Sequence, residues 1–402
     1  MRKTKLVYLD NAANTPIDKE VVRAMSPYLK PGFCGNSHSQ NACGATADLA
    51  VDQARSSIAK TFKVKKSEVF FTSGATESNN WVIKGLVLHE LTLPKNQRKN
   101  HIICAKTEHA SVLNACKFAE DVGFTVTYLP TKICGKISKQ TLVNALRENS
   151  TLLVCCMAVN NETGVSNDVD ALAKLSHRYG AKFLADLTQT LLGGAEGHRV
   201  GLDYPHVDYA SFSAHKIYGP TGVGCLIARS DAPLHPLLSG GAQEGGLRGG
   251  THNTAGIVGM AKAVEMIGSS DASQWFNKLF NYLIGKLQNE IPSAVLNAYP
   301  DHKNIVSISL VNATSMTSNI AGALSLYGIC CSAGAACSSG EGEEVSHVLL
   351  SMGIPVAQAA ATIRVSFSKF TTYSDIDALI NALKNICKEF PKEENTANEE
   401  QN

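Results

Sequence analysis

The sequence has no long hydrophobic run. No stretch of about 18 apolar residues occurs, so a membrane-spanning helix is not expected. It also lacks an excess of charge of either sign. Its 37 basic side chains face 35 acidic ones, for a formal charge of +2, which leaves no electrostatic case for nucleic acid or an anionic membrane. The basic start, Met1-Arg2-Lys3-Thr4-Lys5, is followed by no apolar signal core. A strand-like Leu6-Val7-Tyr8-Leu9 comes at once, so no organellar leader is expected and a cytoplasmic location is. There is no internal repeat and no C-x-x-C pair, and no metal site is expected. Cysteine itself is plentiful, at 12 residues. Most of these are read as small buried hydrophobes in a reducing compartment.

What is present is an alternation of short apolar runs with amphipathic stretches. Glu68–Thr72, His101–Ala105, Thr125–Leu129, Leu152–Met157, Lys182–Asp186, Tyr209–Ser213 and Gly222–Ala228 read as strands. Ala47–Thr61 and Val169–Tyr179 read as helices between them. Such alternation predicts an α/β domain with a mainly parallel central sheet over residues 16–264. Beyond it the pattern changes. A long helical stretch from Thr254 to Glu290 leads to a strand at Ile305–Leu310, a helix at Ser318–Leu326 and strands near Cys330 and at Ile363–Phe367. Residues 1–15 and 265–402 are therefore assigned to a smaller α+β domain. The tail from Lys388 is rich in Glu, almost without apolar residues, and expected to be disordered.

The chemistry concentrates after the strands, where ligands gather in α/β sheets. Ser213-Ala214-His215-Lys216 puts a lysine just beyond a buried strand, among hydroxyl and imidazole donors, which suits a Schiff-base lysine. Asp186 ends another strand, with Thr188 and Gln189 behind it. An aspartate there can pair with a protonated pyridine nitrogen, or simply cap a helix. Thr72-Ser73-Gly74-Ala75-Thr76 is a small-residue turn into a helix, whose backbone N–H groups can cradle a phosphate. His109 follows a third strand and can stack on a ring and exchange a proton.

Across these motifs, together with Tyr8–Ala13, Val159–Gly164 and Arg248–Thr251, the chain resembles the NifS/IscS-like cysteine desulfurases. These are class-V enzymes of the fold-type-I transferase fold that depend on pyridoxal 5'-phosphate (PLP). The likeness runs from Tyr8 to about Thr372. It implies that Lys216 holds the cofactor covalently, Asp186 pairs with its ring nitrogen and His109 stacks on the ring. It implies Asn161 and Gln189 at the ring hydroxyl, and Ala75, Thr76, Ser213 and His215 at the phosphate. Thr251 reaches the phosphate from the neighbouring subunit of a homodimer. Asn36 and Arg364 take the carboxylate of the substrate, L-cysteine. Cys337, in the small-residue segment Cys331–Gly342, accepts the sulfur as a persulfide for a sulfur-acceptor protein such as an iron–sulfur scaffold. Cys331 is read as structural. The sequence departs from the family at Asn14, where threonine is common, and at Leu187, where alanine is. Leu187 should point away from Thr188 on an extended strand. A selenocysteine lyase shares nearly all these residues, and an inactive PLP-fold scaffold protein is a further alternative, opposed by the intact Lys216, Asp186, His109, Arg364 and Cys337.

Overall fold

Runs such as Leu152-Leu153-Val154-Cys155 show no polar alternation because their sheet is covered on both faces, and all four residues are buried. The computed structural model describes residues 6–148, 150–192, 204–269, 272–311, 314, 319–333 and 345–391. In chain order its strands are β1 Val7–Tyr8, β2 Val69–Thr72, β3 His101–Ala105, β4 Thr125–Leu129, β5 Thr151–Cys155, β6 Lys182–Asp186 and β7 Tyr209–Ser213. They continue with β8 Gly224–Ala228, β9 Val295–Leu296, β10 Ile305–Ser309, β11 Ile329–Cys330, β12 Ser332–Ala333 and β13 Thr362–Ser366.

The main sheet has seven strands in the order β2-β8-β7-β6-β5-β3-β4. Strands β3 to β7 pair in parallel, while β8 runs antiparallel to both β7 and β2. Alternate residues feed opposite faces, as the two-residue period of a strand requires. Ile103, Val154, Phe183 and Phe212 enter one core with the helices Ala42–Phe62 and Thr254–Ser269. Ile102, Leu153, Leu184 and Tyr209 enter a second core with the helices Ala75–Thr92 and Ala110–Asp121.

A further core lies around the four-stranded sheet β12-β13-β10-β9 and the helices Ser273–Glu290 and Tyr373–Glu389. The N-terminal β1 joins this part of the molecule, not the main sheet. It pairs in parallel with β11, Val7 opposite Ile329, and the bridge between Asp10 and Ser366 continues the contact.

Several boundaries differ from the sequence expectation. The first long helix starts at Ala42 because Asn41 caps it, its Oδ1 accepting the Gly44 N–H at 2.8 Å. The helical stretch from Thr254 is two helices, Thr254–Ser269 and Ser273–Glu290. The last helix runs through Lys388 to Glu389, so the first residues of the expected disordered tail are helical, and residues 392–402 lie outside the described residues. Cys34, Cys43 and Cys134 are exposed, unlike the buried thiols expected, because they sit in loops or a first helical turn. Among the described residues no helix is long and apolar enough to cross a membrane.

Candidate active site

The parallel strands deliver their carboxyl ends to one edge of the sheet. A cavity of about 390 Å3 opens there. Lys216 enters it from the turn after β7. Its Nζ donates to the carbonyl oxygens of Ala12 and Ala13, both at 2.7 Å, so the segment after β1 closes over the amine. The backbone beside Lys216 is strained. Tyr218 has φ of 65°, and is held by its N–H donating to Thr15 Oγ1 at 2.7 Å and by its hydroxyl accepting the Lys369 N–H at 2.8 Å.

Asp186, the last residue of β6, lines the same cavity. Its Oδ1 accepts the Thr188 N–H and its Oδ2 accepts from Asn79 Nδ2, both at 2.9 Å. Asn79 also donates to Ser111 Oγ at 3.0 Å and accepts the Ser211 hydroxyl at 2.6 Å, so one buried amide bridges three elements. His109 caps the helix Ala110–Asp121. Its Nδ1 accepts the Ser111 N–H at 3.1 Å, which assigns the proton of the neutral ring to Nε2. Burial, with Lys216 nearby, lowers the His109 pKa and keeps the ring neutral, against the pull of Asp186.

Ala75, Thr76, Ser213 and His215 also line the cavity. Ser213 Oγ accepts the Ala75 N–H at 2.8 Å at the start of the helix Ala75–Thr92. This turn lies so close to β8 that a Cβ on Gly224 would sit 2.5 Å from the Gly74 Cα. His215 lies 3.0 Å from Asn14 Oδ1, and burial followed by the Lys216 charge lowers its pKa to about 4. Asn14, the departure noted in the sequence, is thus a direct neighbour of the cavity's imidazole. Leu187 is buried in the core while Thr188 lines the cavity, as expected, but both lie in the turn beyond the end of β6 and not on an extended strand.

Arg364, on β13, is 2% exposed and reaches the cavity from the other part of the molecule. Its Nη2 donates to Asp10 Oδ1 at 2.8 Å and to Ser332 Oγ at 2.9 Å, and its Nη1 donates to the Asn161 carbonyl at 2.9 Å. Next to Asn161, the buried Glu162 accepts the hydroxyl proton of Ser346, and burial raises its pKa to about 7. Glu108 is also buried, with Oε1 accepting the Met157 N–H at 2.6 Å, and burial raises its pKa well above the ordinary range.

Asn161 and Gln189 line the cavity too, Gln189 donating to the Ala12 carbonyl at 2.8 Å. Asn36 and Thr251 do not line it. They lie on adjoining segments, since Ser37 Oγ is 2.8 Å from His252 Nδ1 and His252 Nε2 is 2.6 Å from Glu244 Oε1. Arg55 grips the same Glu244 carboxylate with both guanidinium nitrogens. Burial alone would raise the Glu244 pKa, but Arg55 and His252 outweigh it and hold it at about 2. Thr251 itself is exposed, and Cys337 lies outside the described residues.

The cavity suits PLP. Its lining brings together an amine, a carboxylate, an imidazole and a helix N-terminus. Two buried polar atoms on its lining residues, Thr188 Oγ1 and Arg364 Nε, have no partner among the described residues and stand ready for a polar ligand. The sequence had not marked the carbonyls of Ala12 and Ala13, or the roles of Asp10, Asn79 and Ser332. The Tyr8–Ala13 motif was the available signal for the first of these.

Comparison with known proteins gives a consistent result. The class-V aminotransferase family model matches residues 7–379. The chain is 39% identical over 385 residues to the cysteine desulfurase IscS of Dictyoglomus turgidum, covering 95% of this chain and 94% of that protein. It is 38% identical over 391 residues to the IscS of Rickettsia typhi, covering 96% and 91%. Among solved structures, a NifS-like protein superposes with a TM-score of 0.84 at 34% identity, covering 96% of this chain and 100% of that one. A structure of SspA in complex with cysteine superposes with a TM-score of 0.75 at 32% identity, covering 91% and 99%.

Proposed function

The chain belongs to the class-V aminotransferase family, and from that premise we infer that it is a PLP-dependent cysteine desulfurase acting on L-cysteine. The convergence of Lys216, Asp186, His109 and Arg364 in one cavity carries that inference. Bound there, PLP supplies an electron sink for charge that develops at the substrate Cα. Lys216 would hold the cofactor covalently, and Asp186, fixed by Asn79 and the Thr188 N–H, would pair with its ring nitrogen. Neutral His109 would stack on the ring, with its Nε2 proton available for exchange. Ala75, Thr76, Ser213 and His215 hold the phosphate, Asn161 and Gln189 the ring hydroxyl edge. Arg364 takes the substrate carboxylate as a permanently charged guanidinium.

Cys337 receives the sulfur. The substrate C–S bond breaks, a bond forms between Cys337 Sγ and the leaving sulfur, and the proton of the Cys337 thiol is balanced by one gained at the methyl group of L-alanine. Cys331 is a poor rival, because burial pushes its thiol up to about 12. The persulfide then passes to an acceptor protein such as an iron–sulfur scaffold. A homodimer completes each site. Thr251, and with it the Asn36 loop joined to it through Ser37 and His252, serves the cavity of a second copy. Residues 16–264 form the cofactor-binding domain, residues 1–15 and 265–402 the small domain, and the protein works in the cytoplasm.

The test is incubation of the purified protein with PLP and L-cysteine, reading sulfide, alanine and the mass of the Cys337 peptide. Lys216→Ala is expected to lose the covalently bound cofactor and nearly all turnover. Cys337→Ser should keep the bound cofactor and its spectral response to L-cysteine but form no persulfide, while Cys331→Ser should behave as wild type. Persulfide trapped on Cys331 or Cys34 in an active Cys337→Ser protein would reassign the acceptor. Parallel rates with L-selenocysteine separate a desulfurase from a lyase.

A further inference from the structure

Arg364 is a cation in a dry setting, and a guanidinium at that depth needs a charge partner and saturated hydrogen bonds. Its partner comes from the far end of the chain. We propose that Asp10 is the positioning residue of the carboxylate clamp, aligning Arg364 together with Ser332 so that Nε–H is left for the substrate carboxylate. The proposal rests on the assignment of Arg364 as that clamp.

The geometry forms a closed ring. Arg364 Nη2 donates to Asp10 Oδ1 at 2.8 Å and to Ser332 Oγ at 2.9 Å, and the Ser332 hydroxyl donates to the same Asp10 oxygen at 2.7 Å. Nη1 is tied separately to the Asn161 carbonyl at 2.9 Å. A planar fork held by three acceptors has no rotational freedom left. Its Nε is buried, has no partner among the described residues, and belongs to a residue that lines the cavity. An unsatisfied N–H on a buried cation is costly until a ligand accepts it, and a carboxylate is the acceptor that gains most.

Asp10 is itself held firmly. Its carbonyl accepts the Ala13 N–H at 3.0 Å, and the neighbouring Asn11 donates from its side chain to the Ser366 carbonyl at 2.8 Å, two residues beyond Arg364 on β13. Asp10 therefore cannot swing aside easily, and it serves as a fixed counter-charge.

Two other roles are conceivable for Asp10, and the experiment separates them. On the holoenzyme, KM for L-cysteine and for L-cysteine methyl ester is compared in wild type, Asp10→Asn and Ser332→Ala. Calorimetric Kd values for L-alanine and L-alaninamide are measured beside them. Asp10→Asn is expected to raise KM for L-cysteine and Kd for L-alanine by about tenfold, the scale of one charge-assisted contact, and to leave the ester and amide values unchanged. Ser332→Ala should move the same pair by a few-fold and is the fallback if Asp10→Asn does not fold. Tighter binding of L-cysteine in Asp10→Asn would make Asp10 a competitor for the guanidinium and overturn the proposal. Equal weakening of acid and ester would make it merely structural and overturn it too. A wild-type protein that prefers L-alanine to its amide but releases no sulfur from L-cysteine would fell the desulfurase assignment alone, with the Kd ratio still deciding Asp10. A wild type without that preference would overturn the clamp and this proposal together.

Discussion

Glu162 is a carboxyl group in a buried setting, and its environment makes a pH dependence. Burial raises its folded-state pKa from the ordinary 4.5 to about 7, although Ser346 and Arg364 pull the other way. The folded state thus holds this proton more tightly than the unfolded chain does. The stability tied to it is fully present below about 4.5 and is lost as pH rises to about 7, after which it stays constant. Glu162→Gln keeps the hydrogen bond to Ser346 possible and removes the titration. It is expected to be more favourable relative to wild type at pH 8 than at pH 5, by on the order of 3 kcal/mol or less. Unfolding of both proteins at the two pH values checks this, and an equal difference at both would place the titration elsewhere. Residues of this kind explain how far the sequence could be read. Lys216, Asp186 and His109 each follow a recognisable strand, so their convergence was legible. The Ala12 and Ala13 carbonyls have no side-chain signature. Asp10 meets Arg364 across 354 positions, a pairing that no local pattern announces.

At the scale of elements, β8 decides the shape of the cavity beside Gly74 and Ala75. It runs antiparallel between β2 and β7, with Thr72 opposite Gly224, and brings Gly224 against the Gly74 backbone. A methyl group there meets backbone on the Gly74 side, which cannot rotate away. Gly224→Ala is expected to destabilise the protein by about 1–3 kcal/mol, as overpacking of a close contact does, and to weaken PLP binding by displacing Gly74 and Ala75. Thermal unfolding and cofactor titration together test this, and unchanged PLP affinity would show that the turn adjusts freely. The strands themselves were legible because their residues are apolar on both faces, and the parallel majority followed from the helices between them. The direction of β8 was not, since an antiparallel strand inside a covered sheet uses the same apolar residues. Helix starts moved where a cap such as Asn41 lay outside the apolar periodicity.

At the scale of the whole molecule, the exposed Thr251 and the Asn36 loop beside it set an expectation about assembly. Sedimentation at micromolar concentration should give twice the chain mass of 42.8 kDa, and Thr251→Ala should weaken PLP binding without dissociating the dimer. A fully active monomer would contradict both. The pairing of β1 with β11 has a consequence for how the protein is made. Val7, Asp10 and Asn11 are synthesised more than 300 residues ahead of their partners Ile329, Arg364 and Ser366. At about 5–20 residues per second, they wait roughly 20–70 s for those partners. The main sheet can assemble in that interval with Lys216 already in place. A chain cut short before Arg364 would carry that lysine and the carbonyls over it but lack the guanidinium and the strand β13 that Asp10 and Asn11 bind, so a truncated product is expected to be inert.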